Sequence, residues 1–245
     1  MREGIASSDT SYATPTVILA PFVKRWDSFM HYTHLLFDLD GTLTDPREGI
    51  TRSVQHALAQ LGIEEPELAA LEHFIGPPLL QCFMATYGLD EATAWQAVGH
   101  YRERFKVLGL YENRVFEGIP ALLQQLQAEG RTLYIATSKP QVFAEEIARH
   151  FDFARYFTRI YGSELDGTRT DKAELIAYLL AQEGLPVADT LMIGDRKHDL
   201  IGARRNGLRA MAVGYGFGSV EELQAEAPAY HVSSLAELRQ ALTAR

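Results

Sequence analysis

The stretch FDLDGTLTD, residues 37–45, decides the interpretation of this sequence. Its first residue, Phe37, ends the apolar run LLF at residues 35–37. This run indicates a buried strand followed by a polar loop. Asp38 and Asp40 are two residues apart, and the two-residue period of a strand points both carboxylates to one side. Two close carboxylates repel, which raises the pKa of one unless a cation intervenes. The motif indicates a metal site or a nucleophile–acid pair, and the structural alternative is a turn rich in aspartate.

Further strand and helix patterns alternate along the chain. Apolar runs that end in polar residues occupy 132–137, 190–194 and 209–213, with weaker strand patterns at 158–162 and 230–232. Helical patterns occupy 119–129, 141–149, 172–183 and 197–205. This alternation predicts an α/β fold with a doubly wound, Rossmann-like parallel sheet. Right-handed crossovers place the carboxyl ends of all strands at one edge, where ligands bind.

The alternation stops between Pro46 and Glu117, where only helical patterns occur, at about 48–61, 66–74, 78–87 and 91–107. We therefore predict a core formed by residues 33–46 and 117–245, interrupted by an all-helical insert at 47–116. This helical insert should overhang the sheet edge as a cap. Residues 1–32 are rich in serine and threonine without a clear period, and they predict a flexible N-terminal extension.

A second acidic motif, GDRKHD at residues 194–199, follows another predicted strand. Asp199 lies four residues after Asp195 and enters a helix, so both carboxylates can face the same side. Taken alone, the pair could be a helix cap and a surface carboxylate. Its place at a strand end of the same sheet favours a shared site with Asp38.

Two further candidates lie at the same edge. Thr137 and Ser138 follow a strand, where hydroxyl and backbone N–H groups can hold phosphate oxygens, although helix capping by Ser138 is the alternative. Lys172 begins a helix, and a lone lysine is usually a solvated surface residue. Together with the carboxylates these groups suit Mg²⁺, which prefers oxygen ligands, and phosphoryl transfer, which needs charge neutralisation.

The composition limits the partners. The net charge is −9, so a broad basic surface for nucleic acid is not indicated, while a small phosphorylated metabolite remains compatible with local basic residues. Cys82 is the only cysteine, which fits a reducing, cytoplasmic location. No apolar run reaches eighteen residues, so no membrane-spanning helix is expected. A monomer and a homodimer are both left open.

These motifs closely resemble the four motifs of the haloacid dehalogenase superfamily, in the same order. The D-x-D-G-T pattern matches residues 38–42, the Thr/Ser motif matches Thr137, the lysine matches Lys172, and the acidic motif matches residues 194–199. The resemblance runs from about His34 to the C-terminus. The helical insert looks like the C1 cap of the superfamily.

The resemblance implies a role for each motif residue. Asp38 would be the nucleophile and a metal ligand, and Asp40 would be the general acid and base and bind Mg²⁺ through its backbone carbonyl. Thr137 and Lys172 would hold the phosphoryl group, with Ser138 beside Thr137. Asp195 and Asp199 would complete the magnesium site. Asp40 itself favours a phosphatase or phosphomutase, since the dehalogenase branch of the superfamily lacks aspartate there and the transport ATPases carry threonine.

The segments DLDGTLTDPREGI (38–50), FIGPPL (74–79) and TSKP (137–140) look most like 5′-nucleotidase-like and phosphoglycolate-phosphatase-like members. We therefore expect a nucleoside 5′-monophosphate as substrate, with phosphoglycolate as the first alternative and a sugar phosphomutase as the second. A non-catalytic binding domain is the alternative from another class. The candidate specificity residues are Arg47, Arg52, Gly76 and Pro77, and each arginine could equally be a solvated surface charge.

Overall fold

The computed structural model describes residues 32–243. Its strands are β1 (His34–Phe37), β2 (Thr44–Asp45), β3 (Arg114–Val115), β4 (Thr132–Pro140), β5 (Arg159–Ser163), β6 (Thr190–Gly194), β7 (Arg209–Val213) and β8 (Tyr230–Val232). Its α-helices are α1 (Arg47–Gln60), α2 (Leu79–Tyr87), α3 (Glu91–Arg104), α4 (Ile119–Ala128), α5 (Gln141–His150), α6 (Lys172–Glu183), α7 (Lys197–Arg205), α8 (Val220–Ala225) and α9 (Leu235–Thr243). Short 3₁₀ segments occupy Leu68–Phe74, Ala154–Tyr156 and Val187–Asp189.

Six parallel strands form the central sheet, in the order β5-β4-β1-β6-β7-β8. Successive residues of β1 are buried on opposite faces, because Leu35 and Phe37 belong to one apolar cluster and Leu36 to the other. A strand buried on both faces has apolar residues at every position, as the LLF run has. The predicted doubly wound α/β fold is confirmed, and β1 lies in the middle of it.

The register of the sheet decides which residues meet at its edge. Phe37, the last residue of β1, lies between Ile135 of β4 and Ile193 of β6. The residues that follow on each strand therefore emerge side by side. Asp38 and Asp195 are brought together in this way from distant parts of the sequence.

Helices predominate between β2 and β3, as predicted for the helical insert, but two of them differ in type. Leu68–Phe74 is a 3₁₀ helix, since the segment between Pro66 and Gly76 holds only two short turns. The predicted helix 91–107 ends its α-helical part at Arg104, and Phe105–Gly109 continues as a π-helical turn. The exact division into core and helical insert stays a prediction.

Other elements were not predicted. β2 and β3 pair antiparallel, joining the two chain segments that enter and leave the helical insert. Helices α8 and α9 follow the predicted core strands. The predicted N-terminal extension lies outside the described residues except for Tyr32. Within residues 32–243 no helix is both long and apolar enough to cross a membrane.

Candidate active site

Three aspartates from two strand ends and one helix meet at the carboxyl edge of the sheet. Asp38 follows β1, Asp195 follows β6, and Asp199 lies in the first turn of α7. Each offers a carboxylate oxygen within 4.8 Å of the others. Their exposed fractions are 4%, 0% and 1%, respectively. Carboxylates this close and this buried need a cation among them.

Lys172 supplies one positive charge to this cluster. Its Nζ lies 2.8 Å from Asp38 Oδ1 and 2.8 Å from Asp199 Oδ1, and it donates to the backbone oxygen of Ala136 at 2.8 Å. Asp171 caps the start of α6 by accepting from the backbone N–H groups of Ala173 and Glu174, and so fixes where the lysine emerges. The lysine is 5% exposed, which rules out the alternative interpretation of Lys172 as a solvated surface residue.

Asp195 is held in a tight shell. Thr42 Oγ1 donates to its Oδ1 at 3.2 Å, and the backbone N–H of Phe217 donates to its Oδ2 at 2.8 Å. Two glycines make room for it, because a Cβ on Gly41 would lie 2.1 Å from Asp195 Oδ2 and one on Gly216 would lie 2.4 Å from the same atom. Gly41 also has φ +83°, a conformation that side chains disfavour. The glycine of the first motif is thus required by the second motif.

Asp40 faces a different cation, which the sequence did not identify. Lys139 Nζ lies 2.9 Å from Asp40 Oδ2, and both side chains are less than 10% exposed. The same ammonium group lies 4.5 Å from the centre of the Phe105 ring in the helical insert. Asp40 Oδ1 is buried without a hydrogen-bond partner among the described residues, at the wall of the cleft described below. One oxygen of Asp40 is therefore held and the other is left for a ligand.

The predicted phosphate-binding hydroxyls lie in β4, which extends further than predicted, to Pro140. Thr137 is buried, and its Oγ1 accepts from the backbone N–H of Lys139 at 3.3 Å. Ser138 donates to the backbone oxygen of Thr170 at 3.1 Å, which holds the loop before α6 against β4. The structure places Thr137 beside Ala136, the residue that Lys172 contacts.

Burial and mutual repulsion shift the pKa values of the acidic groups. Burial raises the pKa of Asp195 well above its ordinary value, and the charges of Asp38 and Asp199 raise it further. Burial also raises the pKa of Asp199, to about 6, although Lys172 opposes the shift. Burial raises the pKa of Asp40 despite the opposing charge of Lys139. Burial alone would lower the pKa of Lys172, but Asp199 and Asp38 raise it above its ordinary value.

The acidic cluster fits a divalent cation. Three carboxylates face one ammonium group there, so excess negative charge remains buried. The donors are all oxygen atoms, which suit a hard cation such as Mg²⁺. The side chain of Asp40 points to Lys139 and is not part of the cluster, so any contribution of this residue to a metal would come from its backbone.

A cleft of about 240 Å³ opens from Asp40 between the sheet edge and the helical insert. Gly76 and Pro77, two of the candidate specificity residues, line it. Arg47 and Arg52 are not among its lining residues. Arg47 pairs with Glu72 at 2.8 Å and Arg52 with Glu48 at 3.0 Å, and both arginines are about half exposed. The structure thus does not bring these two candidates to the cleft, because each has an acidic neighbour on the outer surface.

The raised pKa of Asp199 predicts how the stability of the metal-free protein depends on pH. Its folded-state pKa of about 6 exceeds the ordinary 3.8, so the folded state binds the proton more tightly. The stabilisation that this proton gives to the folded state is fully present below about pH 4 and is lost as the pH rises through about 6. With chelator present, we expect the free energy of unfolding to fall by on the order of 1 kcal/mol between pH 5 and pH 8.

Chemical denaturation at both pH values measures this change. The variant Asp199→Asn is the reference, since it removes the titrating group; the difference in pH dependence between the two proteins isolates Asp199 from groups such as His198, whose lowered pKa acts in the opposite direction. Equal pH dependence in both proteins would contradict the shift.

Known proteins resemble this chain over most of its length. The family model for haloacid dehalogenase-like hydrolases matches residues 35–213. A 5′-nucleotidase of Pseudomonas aeruginosa is 69% identical over 216 residues, which cover 88% of this chain and 98% of the relative. Tyrosine-protein kinase PtkA of Mycobacterium tuberculosis is 38% identical over 210 residues, which cover 85% of this chain and 72% of the relative.

Among solved structures, that of a predicted phosphatase from Clostridium acetobutylicum has a TM-score of 0.84 and 47% identity, covering 85% of this chain and 97% of the other. The chain therefore belongs to the haloacid dehalogenase-like hydrolases, and the resemblance inferred from its motifs is confirmed. Within that family it is a phosphatase.

Proposed function

We propose that this protein is a Mg²⁺-dependent, cytoplasmic phosphatase that hydrolyses nucleoside 5′-monophosphates through an acyl phosphate on Asp38. The observation that carries the proposal is the meeting of Lys172 with the carboxylates of Asp38, Asp195 and Asp199. Positive and negative charges are both buried there, which costs stability. A purely structural role would not require buried charges. Such a site suits a reaction that moves a charged phosphoryl group.

In the first step, a carboxylate oxygen of Asp38 attacks phosphorus. An O–P bond forms to Asp38 as the bond from phosphorus to the ester oxygen breaks. Asp40 donates its proton to the departing oxygen, and the nucleoside leaves as an alcohol. The raised pKa of Asp40 supports this role, since it favours the protonated form.

In the second step, water attacks the phosphorus of the phospho-Asp38 group. Asp40, now a carboxylate, takes a proton from that water, and the bond between phosphorus and Asp38 breaks. Inorganic phosphate leaves, and Asp38 returns to its ionised form. Asp40 regains its proton in this step, so the two carboxyl groups are ready for another turnover.

The surrounding groups orient and neutralise the reactants. Lys172 holds Asp38 in place and supplies positive charge beside it, while Thr137 offers a buried hydroxyl near the same strand end. Lys139 holds Asp40 by one oxygen, which orients the other toward the ester. Mg²⁺, bound by Asp38, Asp195 and Asp199 with the backbone of Asp40, would neutralise charge on the phosphoryl oxygens.

The length of the cleft supports a nucleotide rather than a two-carbon acid. Trp95, Val98, Arg102 and Phe105 line it at helical spacing, so the cleft follows α3. With a rise of about 1.5 Å per residue, Trp95 lies about 15 Å along the axis from Phe105, which packs on Lys139 near Asp40. Phosphoglycolate would leave most of this length empty. The name of the Pseudomonas relative agrees with a nucleoside substrate.

A panel assay of phosphate release tests the proposal. We expect kcat/KM for at least one nucleoside 5′-monophosphate to exceed that for phosphoglycolate and for hexose phosphates by about tenfold or more, since only the nucleotide fills the cleft. A preference for phosphoglycolate would contradict the proposed substrate. Turnover of a hexose phosphate that requires a bisphosphate would indicate a mutase, and phosphate transfer from ATP to tyrosine would favour the activity in the name of the mycobacterial relative.

A further inference from the structure

The far end of the cleft carries hydrogen-bond donors without acceptors. Arg102 is half-buried, and its guanidinium has no hydrogen-bond or ion-pair partner within residues 32–243. The guanidinium carbon lies over the Trp95 ring, 5.9 Å from the ring centre. The indole N–H of Trp95 also has no acceptor in this part of the chain. Half-buried donors that protein leaves unpaired are available to a ligand.

Trp95 faces the loop before α6. A Cβ placed on Gly167 would lie 3.5 Å from two atoms of the indole six-membered ring, so the ring lies about one side-chain atom away from this glycine. Gly167 belongs to the loop before α6, whereas Trp95 belongs to α3. The indole thus closes the end of the cleft opposite Asp40 with a flat apolar surface, which suits a planar ring.

Two carboxylates near this end each have one oxygen engaged. Glu164 pairs with Arg169, and Asp166 accepts from the backbone N–H of Thr168 at 2.9 Å. Gln81 also lines the cleft, but its amide offers both a donor and an acceptor and sets no preference. Glu164 and Asp166 are exposed to solvent, so the half-buried polar groups left without a partner at this end are the donors of Trp95 and Arg102.

We propose that Trp95 and Arg102 are specificity-determining residues that bind the nucleobase, and that they favour bases bearing carbonyl oxygens over bases bearing amino groups at the matching position. This inference rests on the proposed function. The base packs against the indole of Trp95, and its carbonyl oxygen accepts from the guanidinium of Arg102. An amino group at that position would face the donors of Arg102, so that neither the amino group nor the guanidinium would have a hydrogen-bond partner.

Inosine and adenosine 5′-monophosphates form a matched pair for the test, since they carry an oxo and an amino group, respectively, at the same ring position. The wild-type protein should show a higher kcat/KM for inosine monophosphate. In Arg102→Ala this preference should fall by about 10- to 100-fold, chiefly through KM for inosine monophosphate. Arg102→Lys keeps the charge but not the planar fork, so it should recover only part of the preference.

Trp95 is tested by two further variants. Trp95→Leu should raise KM for both nucleotides by about 5- to 100-fold, because the stacking surface is lost, whereas Trp95→Phe keeps a ring and should recover most of the affinity. Arg52→Ala is the matched control for Arg102, since this arginine of the helical insert pairs with Glu48 outside the cleft. Thermal unfolding of each variant checks that the fold is retained.

The outcomes separate this inference from the proposed function. If the wild-type protein cleaves both nucleotides, and Arg102→Ala leaves their ratio of kcat/KM unchanged, the assignment of Arg102 is overturned while the proposed function stands. The same holds if Trp95→Leu leaves both KM values unchanged. If the wild-type protein releases phosphate from neither nucleotide but does so from another ester, the proposed function fails and this inference fails with it.

Discussion

Replacing Asp38 with asparagine is expected to lower the rate of phosphate release by about 10³-fold or more, because the amide oxygen is a poor nucleophile toward phosphorus. The fold should persist, since asparagine has the same shape and keeps an acceptor for Lys172, which lies 2.8 Å from Asp38 Oδ1. Loss of one charge also relieves repulsion with Asp195 and Asp199, whose pKa values Asp38 raises. Steady-state assays and circular dichroism measure the two properties.

The control for this variant is Asp189→Asn. Asp189 is exposed and precedes β6, so it lies at the opposite edge of the sheet from the acidic cluster. The same chemical change there should leave kcat and KM near the wild-type values. An Asp38→Asn protein with activity close to that of the control would remove Asp38 from the role of nucleophile.

Removal of divalent metal is the second large effect. We expect chelation to abolish phosphate release and Mg²⁺ to restore it, because Asp38, Asp195 and Asp199 crowd excess negative charge within 4.8 Å. Binding should also stabilise the fold by about 2.7 kcal/mol when Mg²⁺ is present at about 100 times its dissociation constant. For a chain of this length, that corresponds to a rise in Tm of about 5–10 °C.

A variant separates metal binding from other effects of magnesium. Asp195→Asn removes one carboxylate and keeps one of its two acceptor oxygens, which can still accept from either Thr42 or Phe217. Its Tm should respond much less to Mg²⁺ than that of the wild-type protein. Full activity in chelator, or an equal rise in Tm for both proteins, would contradict a metal at these carboxylates.

The acidic site could be predicted because its residues stand at strand ends. Asp38 and Asp195 each follow a short apolar run, and parallel strands place their carboxyl ends at one edge. Lys172 was recognisable only through the family motif, since a single lysine before a helix has no pattern of its own. The sheet and the helices flanking it followed from alternating periodicities, which are local properties of the sequence.

The remaining features depend on contacts that the sequence does not encode locally. Lys139 is brought to Asp40 only in the folded chain, where its ammonium group also packs on the Phe105 ring. Trp95 follows the pattern of an ordinary packing residue, and its place in the cleft depends on the loop that carries Gly167. The π-helical turn at Phe105–Gly109 accompanies close contact between Gly49 and Gly109, where a Cβ on Gly49 would lie 2.2 Å from the Gly109 oxygen.

Acid quenching during turnover, followed by peptide mass analysis, tests the central claim most directly. A nucleoside 5′-monophosphate is mixed with the Mg²⁺-loaded protein, and the reaction is stopped within one turnover to preserve the acyl phosphate. We predict phosphate on the peptide that contains Asp38, and its absence from the Asp38→Asn protein. Phosphate found instead on Ser138 or His198, or none at all during rapid turnover, would contradict nucleophilic attack by Asp38.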